Sequence, residues 1–392
     1  MIRFRLGEYF SGPGGLAKGA HLAAGDLHPD VSVEHAWAVD IDADSCRTYV
    51  ANITGATDES VIVDDVRGAL KRHRLGPIDG FAFGFPCNDF SLVGEHKGIE
   101  GDFGGLYRAG VEVLRTREPR WFIAENVGGI RSANDGRAFD LILREMQDAG
   151  YRLYPHLYRF EQYGVPQARH RVIIVGIRND PENSDVEFRV PSPEIYNHVD
   201  VSARAALDQA YPTNVKNHEM PALSQRVIER LKLIDPGENA FNARRMTDEY
   251  RLNVRGATIS QIYKRLLPDK PSYTITGSGG GGTHVYHWEE PRSLTNRERA
   301  RLQSFPDSFE FLGNRTSVRK QVGMAVPVNG ARAIFTALFN SFLGVEYPSV
   351  PANIKVPTAS SPAKIASEIG QDYEVSAMPV KMDARDYSEV VS

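Results

Sequence analysis

The sequence predicts an α/β fold with a mostly parallel sheet and a smaller second domain. The first 180 residues alternate short apolar runs with amphipathic helical segments, which indicates a parallel sheet with helices on both faces. After residue 178 the periodic pattern is lost, and helical patterns resume at Thr295. We therefore expect a main domain built from 1–178 and 289–345, a second domain over 179–288, and a mobile tail over 346–392.

The elements of the main domain follow from apolar runs and from helix start and stop signals. We expect strands over 4–10, 33–39, 61–63, 80–83, 121–124, 151–158 and 172–177. We expect helices over 16–24, 42–52, 106–117, 139–149, 295–303 and 330–342. Asp42 is placed to cap the second helix, Pro119 follows the end of the third, and Gly150 follows the fourth.

Composition limits the classes of protein that the chain can be. Its 392 residues are 41% hydrophobic and 24% charged, which is typical of a globular protein. We see no signal peptide and no apolar run long enough to span a bilayer, and we expect a cytoplasmic protein without membrane contact. The two cysteines, Cys46 and Cys87, fit neither a zinc site nor a disulfide framework, so a cysteine that matters here matters as a thiol.

Charge alone does not decide whether the chain binds nucleic acid. The net charge is −4, but the stretch 241–271 has seven basic and three acidic side chains, a local charge of +4. The basic residues are Arg244, Arg245, Arg251, Arg255, Lys264, Arg265 and Lys270. This stretch is either a face that binds nucleic acid or a solvated surface, and both interpretations stay open on charge alone.

A glycine-rich turn, Phe10-Ser11-Gly12-Pro13-Gly14-Gly15, lies between the first predicted strand and helix. Glycines let the backbone approach a ligand, and the helix N-terminus offers unpaired N–H groups. Asp40, at the end of the second strand, is placed to bind ribose hydroxyls, and Asp65 after the third could meet an adenine amino group. A plain tight turn is the alternative, and the glycine spacing departs from the dinucleotide fingerprint, which disfavours a nicotinamide cofactor.

Reactive side chains follow several of the predicted strands. Cys87 lies in a loop after a buried strand, where it is either an active thiol or an inert buried cysteine. Glu125 ends another strand, either at the mouth of the sheet or as a capping acid. Strand alternation places Gln167, Arg169 and Arg171 on one face. Their two guanidinium groups suit the binding of a phosphate or a base carbonyl. The alternative is that these charges only keep an edge strand soluble.

Taken together and in order, these blocks resemble the DNA (cytosine-5) methyltransferases of the bacterial restriction-modification type. The matching blocks are Phe-x-Gly-x-Gly-Gly at 10–15, Pro-Cys at 86–87, Glu-Asn-Val at 125–127, Gln-x-Arg-x-Arg at 167–171, and the later blocks 292–307 and 321–327. The resemblance covers 1–178 and about 290–342, with a variable region between them.

The resemblance implies a Rossmann-like fold that uses S-adenosylmethionine, releases S-adenosylhomocysteine and methylates a flipped-out cytosine in double-stranded DNA. It implies a catalytic group of Cys87, Glu125, Arg171 and Arg169. The expected cofactor-binding residues are Phe10, Gly12, Gly14, Gly15, Leu16, Asp40, Ile41, Asp65, Val66, Phe85, Pro86, Ala325 and Val326. The expected substrate-binding residues are Asn88, Ser91, Asn126 and Gln167. The second domain takes the place of the target-recognition domain, the enzyme is expected to be a monomer, and a restriction endonuclease or other defence component is a candidate partner.

Two positions depart from the family pattern, and three other classes of protein compete with it. Asn88 stands where the family usually has glutamine, and Met324 where it usually has asparagine. Methyltransferases of the same fold that act on RNA carry a further cysteine, but no cysteine follows Cys87 and position 125 is glutamate. A catalytically silent DNA-binding relative would not need Cys87, Glu125 and Arg171 together. Only the glycine turn and Asp40 support a nicotinamide oxidoreductase.

Overall fold

The computed structural model describes residues 1–86, 105–252, 261–277 and 282–357, with only the backbone for 132–135. The strands in these ranges are β1 (Ile2–Tyr9), β2 (Val31–Asp40), β3 (Val61–Val63), β4 (Gly80–Gly84), β5 (Trp121–Val127), β6 (Tyr151–Arg159), β7 (Gln167–Ala168), β8 (His170–Arg178), β9 (Val190–Pro191), β10 (Ser272–Tyr273) and β11 (Ser349–Val350). Seven of them form a central sheet in the order β3-β2-β1-β4-β5-β8-β6.

The central sheet is mostly parallel, as predicted. Neighbouring strands from β3 through β5 run parallel, and only β8 runs antiparallel, between β5 and β6. The chain builds β1, β2 and β3 toward one edge and then crosses over β1 to begin β4 on the other side. In open α/β sheets, ligands bind outside the carboxyl ends of the strands at such a switch point. The fold therefore places the candidate site beyond Tyr9 and Gly84.

Helices cover both faces of the sheet. They are α1 (Gly15–Asp26), α2 (Ala43–Asn52), α3 (Ala69–Arg72), α4 (Leu106–Arg117), α5 (Arg137–Asp148), α6 (Ala203–Leu207), α7 (Gln225–Lys232), α8 (Asn296–Leu302), α9 (Arg315–Met324) and α10 (Val328–Leu343). Short 3-10 helices span Gly128–Gly136, Phe160–Tyr163, Pro181–Asn183 and Pro193–Tyr196. All six predicted helices are confirmed, and Asp42 caps α2 by accepting a hydrogen bond from Ser45 N. The sequence does not predict the other four helices, α3, α6, α7 and α9.

Two apolar cores sandwich the sheet. On one face Phe4 stacks on Phe339 of α10, with ring centroids 5.4 Å apart, and meets Trp121 edge-on. On the other face Phe81 and Phe83 pack beneath α4 and α5, with ring centroids 4.9 Å apart. The run Arg315–Leu343 has the length and composition of a membrane span, contrary to the sequence prediction, but 78% of its most apolar window is buried inside the protein. α9 and α10 therefore contribute to the core of the fold.

The chain after residue 345 is ordered as far as residue 357, which corrects the predicted mobile tail for that part. Strand β11 pairs antiparallel with β9. The Asn353 side chain accepts a hydrogen bond from Leu157 N at 2.8 Å, and Ile354 and Val356 pack against the second core. The remainder, 358–392, lies outside the described residues.

Residues 192–288, here called the second domain, contain little regular structure in the part described. Their apolar side chains form two small clusters, of which the larger includes Leu294 and Leu302 of the returning segment. Phe188 and Val190 belong instead to the main core, so the second domain begins later than the predicted residue 179. It packs on the main domain through α8.

Candidate active site

The glycine-rich turn leads from β1 into α1 at the switch point. Phe10, Gly12 and Gly14 all have positive φ, at 53°, 52° and 95°. A side chain at Gly12 would meet nothing within 4 Å, whereas one at Gly15 would lie 2.5 Å from the carbonyl oxygen of Val326. The turn is thus open on one side and tightly packed on the other. Gly14 supplies no side-chain cap for α1, so the helix N-terminus is available to a ligand.

Glu8, which the sequence analysis missed, supports this turn from inside the protein. It is 1% exposed and accepts hydrogen bonds from the Ala17 backbone and from the Tyr49 hydroxyl, the latter at 2.5 Å. Tyr49 in turn lies 3.2 Å from His35 Nδ1. Burial raises the pKa of Glu8 to about 8, so the carboxyl group carries a proton at neutral pH. The sequence around Glu8 does not single it out, because the same strand also carries Arg3 and Arg5.

Asp40 ties the first two loops of this edge together. Its Oδ2 accepts a hydrogen bond from Gly12 N at 2.8 Å, and its Oδ1 accepts one from Asp42 N at 2.9 Å. Each oxygen keeps a second lone pair, so the expected bond to a ribose hydroxyl is still available. The next residue, Ile41, is 74% exposed. An exposed apolar side chain at this position offers a flat ring a surface to pack on.

The other expected cofactor residues contribute in different ways. The carboxylate of Asp65 already accepts hydrogen bonds from Arg67, so an adenine amino group would have to share it. Leu16, Val66 and Phe85 are buried, which leaves chiefly their backbone groups for a ligand. Pro86 is half-buried.

The final sequence block closes the site from the side of α9. Ala325 and Val326 are buried, and the Val326 carbonyl packs on Gly15 of the turn. Met324 is 67% exposed and lies against Gly277. The departure from the family pattern at Met324 thus exposes an apolar side chain and disturbs no contact of the turn.

Glu125 and Arg171 form an ion pair at the carboxyl end of β5. Arg171 Nε lies 3.0 Å from Glu125 Oε1, and both side chains are about one-seventh exposed. Glu125 pairs in register with Gly84, the last residue of β4, and a Cβ at Gly84 would lie 3.2 Å from Glu125 Oε2. The pair is therefore held beside the strand that leads to Cys87, with part of its surface open to a substrate.

Asn126 anchors the start of the Cys87 loop. Its Nδ2 donates to Phe85 O at 2.9 Å, and its Oδ1 accepts from Val127 N at 2.8 Å. The side chain is 3% exposed. These bonds fit a positioning role for Asn126, and the expected contact with substrate stays a prediction.

Arg169 and Gln167 do not join Glu125 at the surface. Arg169 is 2% exposed and donates to Ile275 O and Gly323 O, and Gln167 is fully buried with its amide bonded to Ile275 N and Gln303 Oε1. Burial, followed by the charge of Arg171, lowers the pKa of Arg169. In this structure both residues bind other parts of the protein; the catalytic role expected of Arg169 and the substrate contact expected of Gln167 stay predictions.

Three expected site residues, Cys87, Asn88 and Ser91, lie outside the described residues. The other cysteine, Cys46, is 3% exposed in α2, and burial, followed by the charge of Asp40, raises the pKa of its thiol to about 12. Cys46 is therefore neither accessible nor able to form a thiolate at neutral pH.

The basic stretch of the second domain is largely neutralised. Arg244 Nε lies 2.8 Å from Glu238 Oε1, and Arg245 Nη2 lies 2.7 Å from Asp235 Oδ1. Arg265 is buried. Arg255 lies outside the described residues. Most of the local excess of positive charge predicted from the sequence is thus paired or buried.

The later block that begins at Arg292 is structural. Thr295 caps α8 and exchanges hydrogen bonds with Glu298, and Arg292 binds both oxygens of Glu298 at 2.8 Å. The block thereby fixes the start of α8, on which the second domain rests.

A sheet of this order, with a glycine-rich turn at its switch point, defines a Rossmann-like α/β enzyme of the methyltransferase class. Residues 4–340 match the family model described as C-5 cytosine-specific DNA methylase. The Type II methyltransferase M.BbvI of Brevibacillus brevis is 53% identical over 359 residues, covering 89% of this chain and 94% of the relative. The Type II methyltransferase M.NgoFVII of Neisseria gonorrhoeae is 38% identical over 329 residues, covering 82% of each chain. The chain belongs to the C-5 cytosine-specific DNA methylases and is a DNA (cytosine-5-)-methyltransferase.

Solved structures agree with the fold. A prophage-encoded E. coli protein described as a DNA modification methyltransferase superposes with a TM-score of 0.64 at 22% identity, covering 88% of this chain and all of the other. The S. pombe Dnmt2 methyltransferase gives a TM-score of 0.56 at 16% identity, covering 87% and 99%. At these identities the likeness concerns the fold alone.

The cofactor of this enzyme is S-adenosylmethionine, and the described residues fit it. The open side of Gly12, the uncapped N-terminus of α1, the carboxylate of Asp40 and the exposed side chain of Ile41 lie along one edge of the sheet. Gly12 allows the cofactor to approach closely, and the N-terminus of α1 suits its carboxylate. Asp40 suits its ribose, and Ile41 its adenine ring.

Proposed function

We propose that the chain methylates carbon 5 of a cytosine swung out of duplex DNA at a specific sequence, through a temporary covalent bond from Cys87. The observation that carries this proposal is the Glu125–Arg171 pair. It lies beside the end of β4, which leads to Cys87, and β4 alone separates its strand β5 from β1, the strand that leads into the cofactor turn. We further propose that the enzyme acts as a monomer in the cytoplasm and is the modification partner of a restriction endonuclease.

The chemistry requires a nucleophile because carbon 5 of cytosine is too weakly nucleophilic to accept a methyl group unaided. A thiolate that adds to carbon 6 converts the ring into an enamine, whose carbon 5 can then attack an electrophile. S-adenosylmethionine supplies that electrophilic methyl group when bound. Loss of the proton from carbon 5, to water, then expels the thiolate and restores the aromatic ring.

Cys87 is the nucleophile that the chain can offer. The sequence contains two cysteines. Cys46 is buried and its pKa is raised to about 12, which leaves almost no thiolate at neutral pH. Pro86 places the start of the Cys87 loop at the carboxyl end of β4, and Asn126 holds that loop through Phe85 O.

Glu125 stabilises the ring as the thiolate adds. Its carboxyl group can bond to N3 and the exocyclic amine of cytosine, which favours protonation of N3 while negative charge develops on the ring. Arg171, 3.0 Å from Oε1, orients the carboxylate and can reach the base carbonyl or the adjacent phosphate. Arg169 supports Arg171 indirectly: it donates to Ile275 O and Gly323 O and so holds the segment between β7 and β8 against the second domain and α9.

The reacting ring is stacked inside the duplex, so the base has to leave the helix first. Extrusion costs a few kcal/mol, which contacts in the pocket and in the vacated gap offset. The second domain, which takes the place of the target-recognition domain in the order of the sequence, would make the contacts that read the DNA sequence.

Exchanging each cysteine for serine tests the proposal, with one variant as the matched control of the other. Cys87→Ser should reduce methyl transfer to duplex DNA to background and leave the dissociation constant for S-adenosylmethionine within about twofold, because the thiol touches substrate and not the fold. Cys46→Ser should keep turnover near wild type. Incorporation of labelled methyl groups measures both variants. Turnover by Cys87→Ser, or methylation of transfer RNA in place of DNA by the wild type, would refute the proposal.

A further inference from the structure

A cluster of basic side chains lies where the second domain meets the returning helices. It comprises Arg299 of α8, Arg319 of α9 and His284, and we call it the arginine pocket. Arg299 Nη2 and Arg319 Nη1 each lie 3.4 Å from the same atom, His284 Nδ1. Two guanidinium groups thus share one neutral ring nitrogen as their acceptor.

The arginine pocket has no counter-charge in the part of the chain that the structure describes. No carboxylate there lies within ion-pair distance of Arg299 or Arg319, whereas Arg301 on the same helix α8 pairs with Asp307 at 2.6 Å. Arg299 is 3% exposed and otherwise donates only to Leu294 O, at 3.4 Å. Arg319 Nε is buried without a partner. Charges buried this way are costly unless an anion neutralises them.

His284 does not relieve the charge. Burial first, and then the charges of Arg299, Arg319 and Arg315, lower its pKa to about 4, so the imidazole is neutral at physiological pH. Its ring and Arg319 are half-buried and Arg315 is exposed, so the pocket has an open side with Arg299 at its floor.

The arginine pocket is connected to the candidate active site. Arg319 lies one helical turn before Gly323, whose carbonyl accepts a hydrogen bond from Arg169. A Cβ at Gly323 would lie 2.1 Å from Gly277 N, so α9 packs directly on the second domain. One wall of the pocket therefore belongs to the main domain and the other to the second domain.

We infer that the arginine pocket binds a backbone phosphate of the substrate DNA and so holds both domains on one stretch of duplex. A phosphate oxygen accepts charge-assisted hydrogen bonds from two guanidinium groups at once, which the single lone pair of His284 cannot match. This inference rests on the proposed function.

The carboxylate of the cofactor is the other anion to consider. Lys320 of α9 points toward the proposed cofactor-binding residues, because its Nζ donates to Asp42 Oδ2 at 2.9 Å. Arg319 is the adjacent residue and points about 100° away around the helix, toward His284 and the second domain. The direction of Arg319 favours the DNA phosphate.

Removing one charge from the arginine pocket tests the inference through the salt dependence of DNA binding. The variant is Arg319→Gln, with Arg319→Lys retaining the charge and Arg3→Gln as the matched control. Arg3 lies at the amino end of β1, away from the site, and pairs with the exposed Glu34. Fluorescence anisotropy gives the dissociation constant for duplex DNA over a salt series, and calorimetry gives that for S-adenosylmethionine.

We expect Arg319→Gln to weaken DNA binding roughly three- to tenfold for any sequence and to reduce the slope of log K against log salt by about 0.9. Arg319→Lys and Arg3→Gln should keep the wild-type slope, and all variants should keep cofactor affinity. An unchanged slope in Arg319→Gln, or a loss of cofactor affinity with DNA binding intact, would overturn the inference. Failure of the wild type to bind DNA would overturn the proposed function itself, and the inference with it.

Discussion

The central sheet and the second domain are stabilised in different ways. In the sheet, backbone N–H and C=O groups pair along the strand ladders, and large apolar side chains such as Phe4, Phe81 and Trp121 fill the space on both faces. The second domain has little regular structure in its described part and only two small apolar clusters. It relies instead on buried arginines that bind backbone carbonyls.

Arg265 shows how this works. Its guanidinium group is buried and donates to four carbonyl oxygens, those of Leu231, Ile234, His287 and Glu290, at 2.7–3.1 Å. These carbonyls come from two stretches of chain, 231–234 and 287–290, that lie more than 50 residues apart in the sequence. One arginine therefore satisfies acceptors that a strand ladder would satisfy in the sheet.

Arg297 of α8 does the same beneath the second domain. It is fully buried and donates to the carbonyls of Lys216, Pro306 and Phe309. Irregular chain leaves carbonyl groups unpaired, and unpaired buried acceptors are costly. An arginine-rich, irregular domain can therefore use its arginines for folding, so their number alone does not measure its capacity to bind DNA.

The largest expected effect belongs to the core of the sheet. Phe4→Ala removes a ring that contacts Trp121, Phe339 and Phe342, and should lower the free energy of unfolding by about 3–5 kcal/mol. Urea unfolding followed by fluorescence measures it. The conservative variant Phe4→Leu should lose less. If Phe4→Ala unfolds at the wild-type midpoint, the apolar face of β1 does not hold the sheet.

A smaller and local effect is expected for Arg265→Met. The variant removes one donor from each of four carbonyls. Leu231 O and Glu290 O keep the backbone N–H groups of Ile234 and Arg292, whereas Ile234 O and His287 O lose the donor that Arg265 supplies. This loss should destabilise the second domain by about 2–4 kcal/mol while the sheet keeps its stability. Hydrogen exchange should rise over 225–290 and stay unchanged in β1 to β5. Arg244→Met, at an 81% exposed side chain, is the control and should change neither region. Equal exchange in Arg265→Met and the control would mean that buried arginines do not stabilise the second domain.

The smallest expected effect depends on pH. The unfolded chain loses the proton of Glu8 near pH 4.5 and the folded chain near pH 8, so wild-type stability falls as the pH rises between these values. Glu8→Gln mimics the protonated carboxyl group and escapes this loss. Its melting temperature should exceed that of the wild type increasingly as the pH rises, and between pH 5 and 6.5 the difference in free energy of unfolding should grow by about 2 kcal/mol. A difference that does not vary with pH would mean that Glu8 is ionised in the fold.

The sheet could be predicted because its strands and helices each carry a local pattern. The predicted strand 121–124 lies within β5, for example, and the predicted helix 106–117 coincides with α4. The pattern does not reveal Glu8, whose acid is buried by long-range contacts with Tyr49 and α1. Nor does strand alternation separate Arg171, which reaches Glu125, from Arg169, which turns inward at the break between β7 and β8.

The second domain and the tail were harder to predict because their order comes from distant partners. Arg265 and the exposed Arg244 belong to the same basic stretch of the sequence, and only the fold shows which one is buried. The segment after residue 345 is rich in Pro, Ala, Ser and Lys and has few aromatic residues, which suggests a mobile tail, yet β11 pairs with β9, more than 150 residues earlier. Such pairings leave no periodic signal.

Covalent trapping is the most direct test of the catalytic claim. Duplex DNA that carries 5-fluorocytosine at the target position cannot lose fluorine from carbon 5, so the thiol bond to carbon 6 should persist once the methyl group has been transferred. With S-adenosylmethionine present, we predict a stable protein–DNA adduct that peptide mass spectrometry maps to Cys87. No adduct, or an adduct on Cys46 or another residue, would contradict the account.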